Sequence, residues 1–147
     1  AGVDLQDRAG ATALTQAALQ GHSEVVRLLA LARADLDLPR SDGVTALSSA
    51  AQEGHVEVIK ELLKMGATVD VPRADGATAL MLAALRGQKE VVALLVAAGA
   101  AVNRQATNGA TALRAAAQNG HDEVVAQLQA CGAAMPPPLD ISGLFDK

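Results

Sequence analysis

The chain has 147 residues, half of them apolar, with a net charge of −4, one cysteine and one aromatic side chain, Phe145. That length suits a single domain, and the acidic balance gives no general attraction to nucleic acid or anionic lipid. Lone Cys131 excludes an intrachain disulfide framework and fits a reducing compartment, while the apolar runs are broken at Arg27, Lys60 and Gly99 before reaching membrane-spanning length.

A core without aromatic bulk must be filled by Ala, Leu and Val, which suits thin layers of short, closely packed helices. One string recurs along the chain. Thr-Ala-Leu stands at Thr12-Ala13-Leu14, Thr45-Ala46-Leu47, Thr78-Ala79-Leu80 and Thr111-Ala112-Leu113, at a constant spacing of 33 residues. A fixed period without insertions predicts an array of like units, about 4–36, 37–69, 70–102 and 103–135. The opening Ala1-Gly2-Val3-Asp4 corresponds to the middle of a later repeat, Ala101-Val102-Asn103, so the chain reads as an excised piece.

Each unit predicts a turn, a short helix, a second turn and a second helix. In unit one, Arg33 stands where the later units carry Gly66, Gly99 and Gly132, so that helix end is expected to be strained or locally rearranged. In unit two, Pro39-Arg40-Ser41-Asp42-Gly43 is a turn signal and Thr45 can cap the helix that follows. Ala46, Leu47, Ala50 and Ala51 form one apolar stripe on that helix, and Gly54 ends it. The second helix runs from about Val56 to Met65, with Val58, Ile59, Leu62 and Leu63 inward and Glu57, Lys60, Glu61 and Lys64 outward. Unit three repeats the pattern after Asp75-Gly76. Unit four carries Gln129 where Leu63 and Val96 point inward, a polar change expected of an end unit. Isolated helices under about 12–15 residues are marginal in water. Stacking one unit on the next buries their faces in a continuous core, so repetition is a stability requirement. The predicted fold class is all-α, a solenoid of stacked helix-turn-helix units with protruding β-turn or hairpin loops.

The pattern from Asp75 to Val102, "DGATALMLAALRGQKEVVALLVAAGAAV", resembles the ankyrin repeat, and four such units span residues 1–135. The chain departs from the family's Thr-Pro-Leu-His signature. The Pro is replaced by Ala13, Ala46, Ala79 and Ala112, and the His by Thr15, Ser48, Met81 and Arg114. The resemblance implies a non-catalytic module that binds another protein or peptide through a concave face of turn tips and first helices. Carried onto this sequence, the partner-facing positions are Arg8, Leu19, Arg40, Ser48, Gln52, Arg73, Met81, Leu82, Leu85, Arg86, Arg114 and Gln118. Met81 and Leu85 lie one helical turn apart where adjacent units have Ser48 and Gln52, or Arg114 and Gln118. They are expected either to anchor a partner or to pack against neighbouring turns. Arginines gather on this side, whereas Lys60, Lys64 and Lys89 belong to second helices. Arg suits carboxylate recognition, so the expected partner segment carries acidic residues beside an apolar anchor; an ordinary surface with local Asp partners is the alternative. Asn103 resembles the asparagine that a hydroxylase modifies in many ankyrin repeats, with turn hydrogen bonding as the alternative.

Catalytic and metal chemistry find no footing in the pattern. His22, His55 and His121 occupy one repeat position, which points to a structural role at the start of the second helix. No Cys/His spacing fits zinc, no Gly-rich phosphate loop opens a helix, and the Asp-Gly pairs are turn chemistry. No enzyme, cofactor, metal, nucleic acid or membrane association is expected. The expectation is a monomer, cytoplasmic or nuclear; the second functional reading is a structural spacer or intramolecular regulatory unit of a larger, even enzymatic, protein. Composition changes at Met135-Pro136-Pro137-Pro138, where an extended segment begins. The tail at 136–147 either caps the last unit, links to another domain or serves as a binding motif.

Overall fold

Four threonines at the 33-residue period each start a helix in the computed structural model, which describes residues 3–133. The eight helices there are α1 Ala13–Gln20, α2 Ser23–Leu31, α3 Ala46–Glu53, α4 Val56–Lys64, α5 Ala79–Arg86, α6 Lys89–Ala97, α7 Ala112–Gln118 and α8 Asp122–Ala130. Thr12, Thr45, Thr78 and Thr111 are extended in backbone, and each hydroxyl accepts the N–H three residues on. That removes one of the unpaired donors of a helix start. No strand occurs among the described residues. The protruding loops are turns, stitched in sequence by Ser41 N–H to the Ala9 carbonyl (2.8 Å), Ala74 to Asp42 (3.0 Å) and Thr107 to Asp75 (3.1 Å).

The odd-numbered helices form one row and the even-numbered helices a second. α1 packs on α3, α3 on α5 and α5 on α7, while α2, α4, α6 and α8 follow one another behind them. A single core runs between the rows through Leu14, Leu47, Leu80, Leu113, Ile59, Leu62, Val92, Leu95 and Leu128, with alanines where helices approach closely. The predicted stripe Ala46, Leu47, Ala50 and Ala51 is buried, as are Val58, Ile59 and Leu62. Leu63 and Glu61 are only half-buried, and α4 ends at Lys64 with Met65 as its cap.

Arg33 keeps the left-handed backbone of its glycine counterparts, φ 67° against 94–98° at Gly66, Gly99 and Gly132, so the helix end is strained and not rearranged. Gln129 is exposed on the last unit. The tail at 136–147 lies outside the described residues.

Two inter-unit devices hold the stack. The His55 ring donates through Nε2 to the Leu19 carbonyl (3.0 Å), and His121 does the same to Leu85 (3.0 Å). The ring can sit there because Gly87 has no side chain: a Cβ at that point would lie 2.6 Å from His121. The second device joins the loops. Asp4 accepts the Asp35 N–H (2.9 Å), Asp37 accepts the Thr68 N–H and hydroxyl (2.8 and 2.6 Å), and Asp70 accepts the Ala101 N–H (3.1 Å). Asn103 ends this row, its amide donating to the Gly132 carbonyl at 3.2 Å.

Candidate interaction groove

Turn tips and first helices meet along one side of the stack, and between units three and four they enclose a cleft of about 280 Å³. Met81, Leu82 and Leu85 supply its apolar floor, and Arg73, Asp75, Thr107 and Gln118 are among the polar residues that line it, with the Thr107 hydroxyl donating to the Asp75 carbonyl at 2.8 Å. Helical spacing explains the floor, since positions 81, 82 and 85 share one face of α5. Met81 and Leu82 are 6% and 5% exposed, so they pack largely against neighbours; Leu85, 40% exposed, is the apolar side chain that reaches the surface. A larger hollow of about 370 Å³ lies between the starts of α6 and α8. It is lined mainly by polar groups and crossed by the Lys89–Glu123 ion pair, so it offers no apolar anchor.

A change in capping chemistry shapes the cleft. In units one and two, the Thr15 and Ser48 hydroxyls accept the N–H of Thr12 (2.8 Å) and Thr45 (2.9 Å) and donate back to the same residues' carbonyls. These are capping boxes built with hydroxyls. Met81 and Arg114 hold that position in units three and four and cannot complete the box, leaving only the threonine's own bond. The groove therefore exchanges a local helix-stabilising contact for an apolar side chain and a guanidinium.

The arginines divide into two groups. Arg73 binds Asp75 through Nε (3.3 Å) and a terminal nitrogen (2.6 Å), and Arg40 approaches Asp42 at 3.4 Å. The hydrogen bond from Arg73, joined by that from the Ala77 N–H, holds the Asp75 carboxyl below the usual aspartate range, and the same contact raises Arg73. Among the described residues no carboxylate lies within ion-pair distance of Arg8, Arg86 or Arg114. Arg8 and Arg86 are exposed and Arg114 is half-buried.

Ser48 is a correction to the surface set. It is 1% exposed and fully engaged with Thr45, because both flanks of α3 are covered by α1 and α5. Leu19 and Gln52 are half-buried on the ends of α1 and α3, and Gln118 is exposed on α7. The His55 and His121 bonds and the aspartate row are visible only in the stacked structure; Asp4, Asp37, Asp70 and Asn103 share the same 33-residue period, which is the signal that marks them.

Among the described residues no His/Cys/Asp/Glu group is arranged to hold a metal, and no helix is long and apolar enough to cross a membrane. No curated protein matches the chain. The sequence model for ankyrin repeats (three copies) matches residues 1–73 and 66–136. With its stacked helix pairs and left-handed loop glycines, this chain belongs to the ankyrin-repeat family.

Proposed function

We propose that the chain is a non-catalytic protein-interaction module, binding a partner protein or peptide along the groove of turn tips and first helices. Ankyrin repeats are in general protein–protein interaction modules. The observation that carries the reading here is the cleft under Leu85. Its roughly 280 Å³ falls just below the ≈300–1,000 Å³ of small-molecule pockets, so it suits one large apolar side chain better than a metabolite. Met81, Leu82 and Leu85 would seat that anchor. Arg86 and Arg114, which have no local carboxylate, would meet acidic residues beside it, with Arg8, Leu19, Gln52 and Gln118 extending the contact. Arg40 and Arg73 are already engaged with Asp42 and Asp75, and act as part of the groove wall. Asn103 is exposed and remains a candidate for hydroxylation. An intracellular, cytoplasmic or nuclear, setting fits this role.

Leu85→Gln tests the reading, because Gln52 and Gln118 are its counterparts in units two and four. The variant is expected to keep the wild-type thermal midpoint within about 2 °C, while capture of partners by the isolated chain falls about tenfold or more, the loss expected of a central apolar anchor. Unchanged capture by a folded variant would refute the anchor. Retention solely of other domains from a larger polypeptide would favour the spacer or intramolecular regulatory reading instead.

A further inference from the structure

The cleft between units three and four is framed by two arginines whose register follows from the repeat. Arg114 on α7 stands level with Met81 on α5, because the two are 33 residues apart and the helices pack side by side. Arg86 follows Leu85 at the other end of α5. Among the described residues neither guanidinium has a carboxylate within ion-pair distance, and that includes Glu53, which holds the place of Arg86 in unit two. The one carboxylate among the described residues lining the cleft, that of Asp75, is already bound by Arg73 at 2.6 Å. The cleft therefore combines cationic edges and an apolar floor with no unpaired anion of its own.

The helix starts agree. Thr15 and Ser48 complete capping boxes in units one and two. Met81 and Arg114, on the two helices that border the cleft, stand at that position without the bond. Arg114 is also half-buried, and a partly desolvated charge without a counter-ion is unfavourable until an anion arrives.

Helix geometry sets the spacing of the two charges. Packed helices lie about 8–10 Å apart, and the rise from the level of Met81 to Arg86 along α5 is about 7.5 Å. The backbone positions of Arg114 and Arg86 are then about 12 Å apart, on a diagonal that crosses the cleft beside Leu85. An extended chain covers about 13 Å in four residues and sets every second side chain on one face. A helix needs about eight residues for the same span. Resting on the groove reading, we propose that the occupant is an extended acidic segment of the order acid–x–apolar–x–acid. One carboxylate meets Arg114, the other meets Arg86, and the apolar side chain between them enters the cleft at Leu85.

The test measures fluorescence anisotropy of short labelled peptides titrated with the chain. A peptide centred on Asp-Ala-Leu-Ala-Asp is expected to bind saturably, and less tightly as salt is added. Its isomer centred on Ala-Asp-Leu-Asp-Ala, which turns both acids to the opposite face from the leucine, should bind about tenfold more weakly. Arg86→Gln and Arg114→Ser install the residues of Gln20 and Ser48. Each should weaken the first peptide about threefold to tenfold and leave the affinity of its Asn-Ala-Leu-Ala-Asn analogue unchanged. Arg114→Ser should not lower the thermal midpoint, because a serine there can complete the capping box, so its weaker binding is not a loss of fold. Equal affinity for the two isomers, no saturable binding of the first, or a bound peptide that is helical by circular dichroism would overturn the proposal. Partner capture that still falls with Leu85→Gln in those cases would leave the groove reading standing, which keeps the two failures distinct.

Discussion

At residue scale, Arg33 carries the one left-handed backbone outside glycine among the described residues. A side chain in that conformation costs about 1–2 kcal/mol, and part of it returns when glycine's greater unfolded-state freedom is counted. Arg33→Gly is therefore expected to raise stability by about 0.5–1 kcal/mol, read as a higher urea midpoint with unchanged slope. Asp75 makes a second prediction. Its folded-state proton affinity is lowered, chiefly by the hydrogen bond from Arg73, so its stabilisation is present above the ordinary aspartate value and is lost as the pH falls through the folded one. Asp75→Asn keeps the turn, because Asn108 accepts the Ala110 N–H (3.0 Å) just as Asp75 accepts that of Ala77 (3.0 Å). The wild type should exceed the variant by under about 1 kcal/mol at neutral pH, with the advantage shrinking below about pH 4. A difference that grows in acid would contradict this sign.

At the scale of elements, the glycines after the helices are not equivalent. Gly66 faces open space, so Gly66→Ala meets only backbone strain, about 1–2 kcal/mol. Gly87→Ala adds a collision with the His121 ring at 2.6 Å and should cost about 1 kcal/mol more. His121→Gln should be tolerated, since Gln88 stands naturally at that position. Equal losses for the two alanine variants in denaturant titration would argue against the His–glycine contact. These elements also show what can be read from sequence. The threonine caps and the loop glycines were legible because local chemistry decides them. The partner of His55 was not, since the Leu19 carbonyl reaches it only through the step between units. Ser48 was assigned to the surface because a short helix read alone has an open side, whereas α3 lies between α1 and α5. Leu85 was legible as an apolar residue among polar counterparts, but its separation from buried Met81 and Leu82 required the packing of α5 on α7.

At the scale of the whole molecule, each unit is covered by its neighbours and the groove is assembled from several of them at once. Stability of such an array is a sum of unit and interface contributions, so side chains on α5 and α7 are held in place before any partner arrives. Less conformational entropy is then lost on binding. The boldest consequence concerns position. Charged second helices form the other side of the stack, with Glu57 and Lys60 paired across one turn and Lys89 paired to Glu123, and the hollow between the starts of α6 and α8 is lined mainly by polar groups. Hydrogen exchange of the chain with and without a captured partner tests the account most directly. Protection is expected over Ala79–Arg86, the turn at 104–110 and Ala112–Gln118; protection confined to Val56–Lys64, Lys89–Ala97 and Asp122–Ala130 would contradict it.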